Sequence, residues 1–105
     1  MDGEAQFWSK VLDIPVVHRS EDWTTLMGRG VCLAVQLAPD HVPPQWPDPS
    51  RPQQLHLDVE VDDVDAAEGQ VLVLGATRLV DPPGAEDFRV FADPAGHPFC
   101  LIFEA

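Results

Sequence analysis

The chain has 105 residues, 45% of them hydrophobic, and a formal net charge of −12. This length suits one domain with its own core. The sequence lacks an apolar run long enough to form a membrane-spanning helix. The negative charge argues against a nucleic-acid partner, whose phosphates it would repel. The acidic start over residues 1–4 lacks the basic and apolar pattern of a secretion signal, so we expect a cytoplasmic protein.

The first 38 residues show one helical pattern followed by three strand patterns. Phe7 and Trp8, with Val11 and Leu12 one turn later, share a face and predict a helix from about residue 4 to residue 12. Pro15 ends this helix, because the residue before a proline is pushed out of the α region. Strands are predicted over residues 15–19, 23–27 and 31–37, with a glycine turn before the last.

Residues 39–53 predict a crossover between the two halves of the chain. Six prolines lie between Pro39 and Pro52. Proline has no backbone donor, so this stretch is neither a helix nor an inner strand. We expect Trp46, inside the stretch, to fold back onto the body of the protein.

The second half begins with a strand and a helix. Residues 54–61 alternate between apolar and polar side chains, which is typical of a strand. Asp62 or Asp63 can cap the helix that follows, and Gly75 suits its end. The predicted buried stripe of this helix is Val64, Ala67, Val71 and Leu74. Further strands are predicted over residues 77–80, 88–92 and 98–104, with a turn over 93–97.

A repeated pattern relates the two halves. Glu-Asp-Trp precedes a Cys-Leu-x-x-Gln strand that contains Gln36, and Glu-Asp-Phe precedes a Cys-Leu-x-x-Glu strand that contains Glu104. The second half therefore predicts the order βαβββ, whereas the first half predicts only αβββ because its opening strand is absent. We predict an α+β protein of one domain, with module one over about 1–38 and module two over 54–105.

Four motifs are spread over nearly the whole chain. They are Phe7-Trp8, the segment Gln53–Asp58, Leu74-Gly75-Ala76 and the ending Phe88–Leu101. Together they resemble the vicinal oxygen chelate superfamily of glyoxalases, bleomycin-resistance proteins and extradiol dioxygenases, and in particular its short bacterial glyoxalase-like members. The resemblance implies tandem βαβββ modules that form an open, curved, barrel-like sheet around a ligand.

The resemblance also implies a metal site. In metal-dependent members the ligands come from the first and last strands of each module. By position these are His56, Glu104 and Gln36, around one divalent ion such as Zn²⁺, Ni²⁺, Fe²⁺ or Mn²⁺, with a fourth ligand on the absent strand. The ion would polarise a carbonyl while a carboxylate, here Glu104, moves the proton. The alternative is that these residues line a polar cavity without metal.

Strand alternation gives the side chains expected in the cavity. The larger apolar residues of each strand should pack on the helices, leaving small and polar residues on the other face. The predicted cavity comprises Cys32, Gln36, His56, Asp58, Cys100 and Glu104. Both cysteines are expected to be small buried residues, rather than metal ligands or nucleophiles, and Trp23 and Phe88 are expected in the core.

Two functions of different classes fit these observations. The first is a bleomycin-resistance-like protein that binds a small molecule, for which acidic charge and aromatic residues favour a flat cation. The second is a divalent-metal-dependent lyase, isomerase or dioxygenase that uses His56, Glu104 and Gln36. The incomplete ligand set favours the first.

The absent strand predicts self-association. Without it, strands 31–37 and 54–61 each keep an exposed edge, and exposed edges pair with other chains. We therefore expect a homodimer. A shortened chain is an equal explanation of the absent strand.

Overall fold

The computed structural model describes residues 2–44, 50 and 55–104. The chain divides into two compact units, Met1–His41 and Val42–Ala105. Much of the predicted crossover lies outside the described residues, and so does Trp46.

The first unit packs one helix against a three-stranded antiparallel sheet. Helix α1 spans Asp2–Leu12, and strands β1, β2 and β3 span Val16–Arg19, Trp23–Gly28 and Val31–Gln36. The sheet order is β1-β2-β3, so each strand pairs with its neighbour in the chain. Helix α1 contacts β2, and the core of this unit consists of Ala5, Phe7, Trp8, Ile14 and Leu26.

The second unit contains a mixed four-stranded sheet and one helix. Its elements are β4 Leu57–Glu60, α2 Val64–Val73, β5 Thr77–Arg78, β6 Phe88–Ala92 and β7 Pro98–Ile102. The sheet order is β4-β7-β6-β5, with β4 parallel to β7 and the other pairs antiparallel. The rings of Phe91 and Phe99 stack with centroids 5.5 Å apart and are fully buried in this core.

Helix α2 begins and ends as its sequence predicts. The Asp63 carboxylate accepts a hydrogen bond from the backbone N–H of Ala66 at 3.1 Å, so the N-cap is Asp63 and not Asp62. After the C-cap residue Leu74, Gly75 adopts a φ of 115°, a conformation that a side chain would disfavour.

The contact between α2 and the sheet is more polar than the predicted stripe implies. Val71 is buried, whereas Val64, Ala67 and Leu74 are only half-buried. Glu68 on the same helix accepts hydrogen bonds from Arg78 and Arg89 of the sheet, at 3.1 and 3.2 Å. Ionic contacts therefore replace part of the expected apolar packing.

The element order confirms the predicted α+β class, with αβββ in the first unit and βαβββ in the second. Within the described part of the first unit, no strand takes the place beside β3 that β4 takes beside β7. Over the same residues, neither helix is long and apolar enough to cross a membrane.

Strand β5 is shorter than predicted, because a side chain replaces part of its ladder. Regular pairing stops after Arg78, and the Asp81 carboxylate accepts the backbone N–H of Val90 at 3.1 Å. Strand β7 also ends early, at Ile102, so Glu104 lies two residues beyond it.

Candidate functional site

The parallel pairing of β4 with β7 places two predicted site residues side by side. Asp58 is the register partner of Cys100, and Glu60 is the partner of Ile102. Register partners project from the same face of a sheet. Polar side chains of β4 and the thiol of β7 therefore share one face in the second unit.

His56 joins Asp58 and Cys100 in a compact cluster. The His56 Nε2 and Asp58 Oδ1 atoms are 3.0 Å apart. One donor atom from each of the three side chains lies within 4.8 Å of the other two. Cys100 is only 5% exposed, and burial, with the nearby carboxylates of Asp58 and Asp81, raises the pKa of its thiol to about 11. The free thiol is therefore protonated at neutral pH.

The donor set of this cluster fits a transition-metal ion. Imidazole, carboxylate and thiolate bind Zn²⁺ at about 2.0–2.3 Å, so ligand atoms around a tetrahedral ion stand roughly 3–4 Å apart. The observed separations need only small side-chain movements to reach this spacing. The nitrogen and sulfur donors select zinc or iron over magnesium or calcium.

Glu104 belongs to a different part of the second unit. It follows Cys100 by four residues along the end of β7, which corresponds to about 13 Å of extended chain. Since β4 runs parallel to β7, His56 lies toward the opposite end of the pair. The register therefore favours Asp58 and Cys100 over Glu104 as neighbours of His56.

Glu104 lines a cavity of about 530 Å³, which we call the acidic cavity. Its walls come from the end of β4, the start of β6 and the end of β7. The lining residues are Glu60, Val61, Asp62, Asp87, Phe88, Ile102, Phe103 and Glu104. Four of them carry carboxylates, none of these eight is basic, and two phenylalanines provide apolar surface. This composition suits a ligand with positive charge and an apolar part.

Cys32 and Gln36 lie on β3 in the first unit, and both are exposed. Their register partners on β2 are Met27 and Trp23, so the four side chains share one sheet face. The prediction that Cys32 is buried is wrong. The prediction that Trp23 lies in the core is also wrong, because its side chain is 39% exposed, and Cys32 is exposed as well. Helix α1 packs against β2, where Leu26 is fully buried, and these four side chains project from the opposite face.

The sequence pattern does not mark several of the residues that line the acidic cavity. Asp87 and Phe88 stand in the repeated Glu-Asp-aromatic pattern, which was a usable signal, although Phe88 was expected in the core. It is half-buried and lines the acidic cavity. The sequence predicts a helix cap at Asp62 or Asp63 and a helix-facing side chain at Phe103, and it marks neither Asp62 nor Phe103 as a cavity residue. No local pattern links these residues, because they meet through tertiary structure.

Comparison with known protein families gives a match over almost the full length. The family profile described as a glyoxalase-like domain matches residues 1–102. No curated protein matches the chain.

Solved structures share the fold at low sequence identity. A glyoxalase-related enzyme from Fulvimarina pelagi is 21% identical with a TM-score of 0.68, over 99% of this chain and 80% of that chain. The fosfomycin resistance protein FosX from Listeria monocytogenes is 12% identical with a TM-score of 0.72, over 100% and 84%. A glyoxalase/bleomycin resistance protein/dioxygenase family enzyme from Burkholderia phytofirmans PsJN is 18% identical with a TM-score of 0.72, over 97% and 88%. These likenesses show the fold alone.

Proposed function

Because the chain belongs to the glyoxalase-like domain family, we propose that it binds a small molecule, and that this ligand is an organic cation held in the acidic cavity. The observation that carries the proposal is the composition of the cavity wall. The lining includes the acidic residues Glu60, Asp62, Asp87 and Glu104 and the aromatic residues Phe88 and Phe103.

Electrostatics supports a cation over a neutral ligand. A carboxylate and a cation about 4 Å apart attract by about 1 kcal/mol in water and about 4 kcal/mol at an effective dielectric constant of 20. The net charge of −12 also raises the local concentration of cations around the whole protein. An aromatic face adds about 0.5–1 kcal/mol for a cation at an exposed site.

A matched pair of probes tests the proposal. Phenyltrimethylammonium and tert-butylbenzene have the same shape and differ in charge. We expect isothermal titration calorimetry to detect binding of the cation and much weaker binding of the neutral compound. Replacing Glu104→Gln or Asp87→Asn should weaken cation binding by about fivefold each, since about 1 kcal/mol is lost.

Asp40→Asn is the control, because Asp40 is exposed in the first unit and is not among the residues that line the acidic cavity. This variant should bind the cation like the unchanged protein. Equal affinity for the two probes, or equal losses in the control and cavity variants, would refute a cation site in this cavity.

The cluster of His56, Asp58 and Cys100 favours a second candidate function, that of a metal-dependent lyase, isomerase or dioxygenase. A bound divalent ion would supply a Lewis acid for a substrate oxygen. His56 and Cys100 would hold the ion. Asp58, which lies 3.0 Å from the imidazole, would act as a third ligand or orient the ring.

Elemental analysis of protein purified without a metal-affinity tag tests this candidate. We expect about one zinc or iron ion per chain, lost in His56→Ala and Cys100→Ala and kept in Glu104→Gln. Loss in Glu104→Gln with retention in Cys100→Ala would instead support the set His56, Glu104 and Gln36. A protein without metal that also gains none on dialysis against Zn²⁺ or Fe²⁺ would exclude both sets.

A further inference from the structure

Three residues that line the acidic cavity form one row across the second unit's sheet. Glu60 on β4 and Phe88 on β6 are both register partners of Ile102 on β7. Register partners project from the same face of a sheet, so a carboxylate, an aliphatic side chain and an aromatic ring lie side by side. The cavity therefore has apolar surface next to a carboxylate.

Two further carboxylates of the cavity follow this row. The hydrogen bonding of β4 to β7 continues beyond β4, since the N–H of Val61 donates to the carbonyl of Ile102 at 2.9 Å. Asp62 follows Glu60 by two residues, and Glu104 follows Ile102 by two. Residues two apart in an extended chain are separated by about 7 Å. The cavity thus has two acidic poles about 7 Å apart, Glu60 at one and Asp62 with Glu104 at the other.

The basic side chains of the second unit are paired with other acids. Arg78 forms ion pairs with Glu68 and Asp81, and Arg89 forms ion pairs with Asp65 and Glu68. Among the described residues, no basic side chain forms an ion pair with a carboxylate of either acidic pole. The negative charge of both poles is therefore available to a ligand.

The separation of the poles favours an extended ligand over a metal ion. Over the described residues, the three side chains close enough together to hold one ion are His56, Asp58 and Cys100, and none of them belongs to a pole. A compact ion would therefore contact one pole at a time. A chain with an ammonium group at each end can contact both, while its methylene groups lie against Ile102 and Phe88.

We propose that the ligand of the acidic cavity is a diamine or polyamine, whose ammonium groups bind the two acidic poles. This inference rests on the proposed function, and it adds that the ligand carries two positive charges separated by a short apolar chain. Two ammonium groups neutralise the carboxylates at both poles, whereas a single ammonium group leaves one pole without a partner.

Two amines with the same carbon chain test the inference. 1,4-Diaminobutane carries two ammonium groups and n-butylamine carries one. At a fixed salt concentration, we expect isothermal titration calorimetry to give about fivefold tighter binding for the diamine, since a second contact between an ammonium group and a carboxylate adds about 1 kcal/mol. Mg²⁺ at the same concentration as the diamine should not displace it, because a compact ion cannot contact both poles.

Glu60→Gln removes the charge of one pole. The two amines should therefore bind this variant about equally, and n-butylamine should keep nearly its original affinity because the other pole is intact. Glu21→Gln is the matched control, because it removes the same charge from an exposed residue that does not line the cavity. This control should keep the fivefold preference for the diamine.

The outcomes separate this inference from the proposed function. Suppose that phenyltrimethylammonium binds, but that the two amines bind the unchanged protein equally, or Mg²⁺ displaces the diamine, or Glu21→Gln loses the preference as Glu60→Gln does. Each of these results would overturn the diamine while leaving a site for an organic cation. If neither phenyltrimethylammonium nor the amines bind, the proposed function is wrong and the diamine with it.

Discussion

Thr24 carries a hydroxyl group in the core of the first unit. The residue is fully buried on β2, and its Oγ1 atom has no hydrogen-bond partner among the described residues. An unsatisfied buried polar group costs about 1–3 kcal/mol of stability. The neighbouring Thr25 differs, because its Oγ1 accepts a hydrogen bond from Trp23 Nε1 at 3.0 Å.

Replacing Thr24→Val should stabilise the protein. Valine keeps the branched shape and removes the unpaired hydroxyl, so we expect the free energy of unfolding to rise by about 1 kcal/mol. Urea denaturation followed by circular dichroism measures this change. Thr25→Val is the matched control and should give no gain, because it removes a satisfied hydroxyl. Equal stabilisation by both substitutions would show that β propensity, and not the unpaired hydroxyl, causes the effect.

Cys32 and Cys100 show what a repeat in the sequence can and cannot predict about a residue. They hold equivalent positions in the two copies of the pattern, and each lies in a strand as expected. Cys100 is buried and Cys32 is exposed. Local pattern sets which face of a strand a side chain occupies, but burial depends on what covers that face. The sequence of the strand does not contain that information.

At the scale of elements, Arg78 and Asp81 connect β5 to β6. Two nitrogens of the Arg78 guanidinium donate to the two Asp81 oxygens at 2.7 and 2.8 Å, while Asp81 also accepts the Val90 N–H. The hydrogen bond from Arg78 is the main cause of the lowered pKa of Asp81, and burial opposes it. The carboxylate thus replaces a backbone acceptor in the ladder.

This pair makes stability depend on pH. The pKa of Asp81 is lower in the folded protein than the ordinary value of 3.8. Its contribution to stability is therefore complete above about pH 4 and is lost as the pH falls through the folded pKa. We expect Asp81→Asn to lose about 1–3 kcal/mol at pH 7. Below about pH 4, the free energy of unfolding should fall less steeply with decreasing pH in the variant than in the unchanged protein.

Urea titrations at pH 7 and at steps from about pH 4 to pH 2 measure this difference. Asp40→Asn, at an exposed site in the first unit, should follow the unchanged protein throughout. Parallel pH profiles for Asp81→Asn and the unchanged protein would show that Asp81 contributes nothing through its charge.

The strands also show where prediction from sequence stops at this scale. The alternation over residues 54–61 indicated a polar face for β4, because a period of two is a local property. Asp58 lies opposite Cys100 because of the register between β4 and β7, two strands that are far apart in the chain. Glu104 entered the predicted metal set through the family resemblance, whereas the observed register places Cys100 opposite Asp58.

At the scale of the whole molecule, the fold class followed from the order of local patterns, but the acidic cavity did not. Its walls come from chain segments near residues 60, 87 and 103, which meet only through the sheet of the second unit. The net charge of −12 indicated a preference for cations without showing where they bind. Composition therefore predicts only the charge of the proposed ligand, and the tertiary structure shows which acidic residues line one cavity.

The pairing of β4 with β7 also has a consequence for the order of folding. Leu57 pairs with Phe99, which lies 42 positions further along the chain (99 minus 57). The first unit, by contrast, is built from hairpins between neighbouring strands. Contacts between distant residues form slowly, since a long loop must close before they form. During synthesis, the first unit can therefore fold while the chain is still growing, whereas the sheet of the second unit is completed only after β7 has left the ribosome.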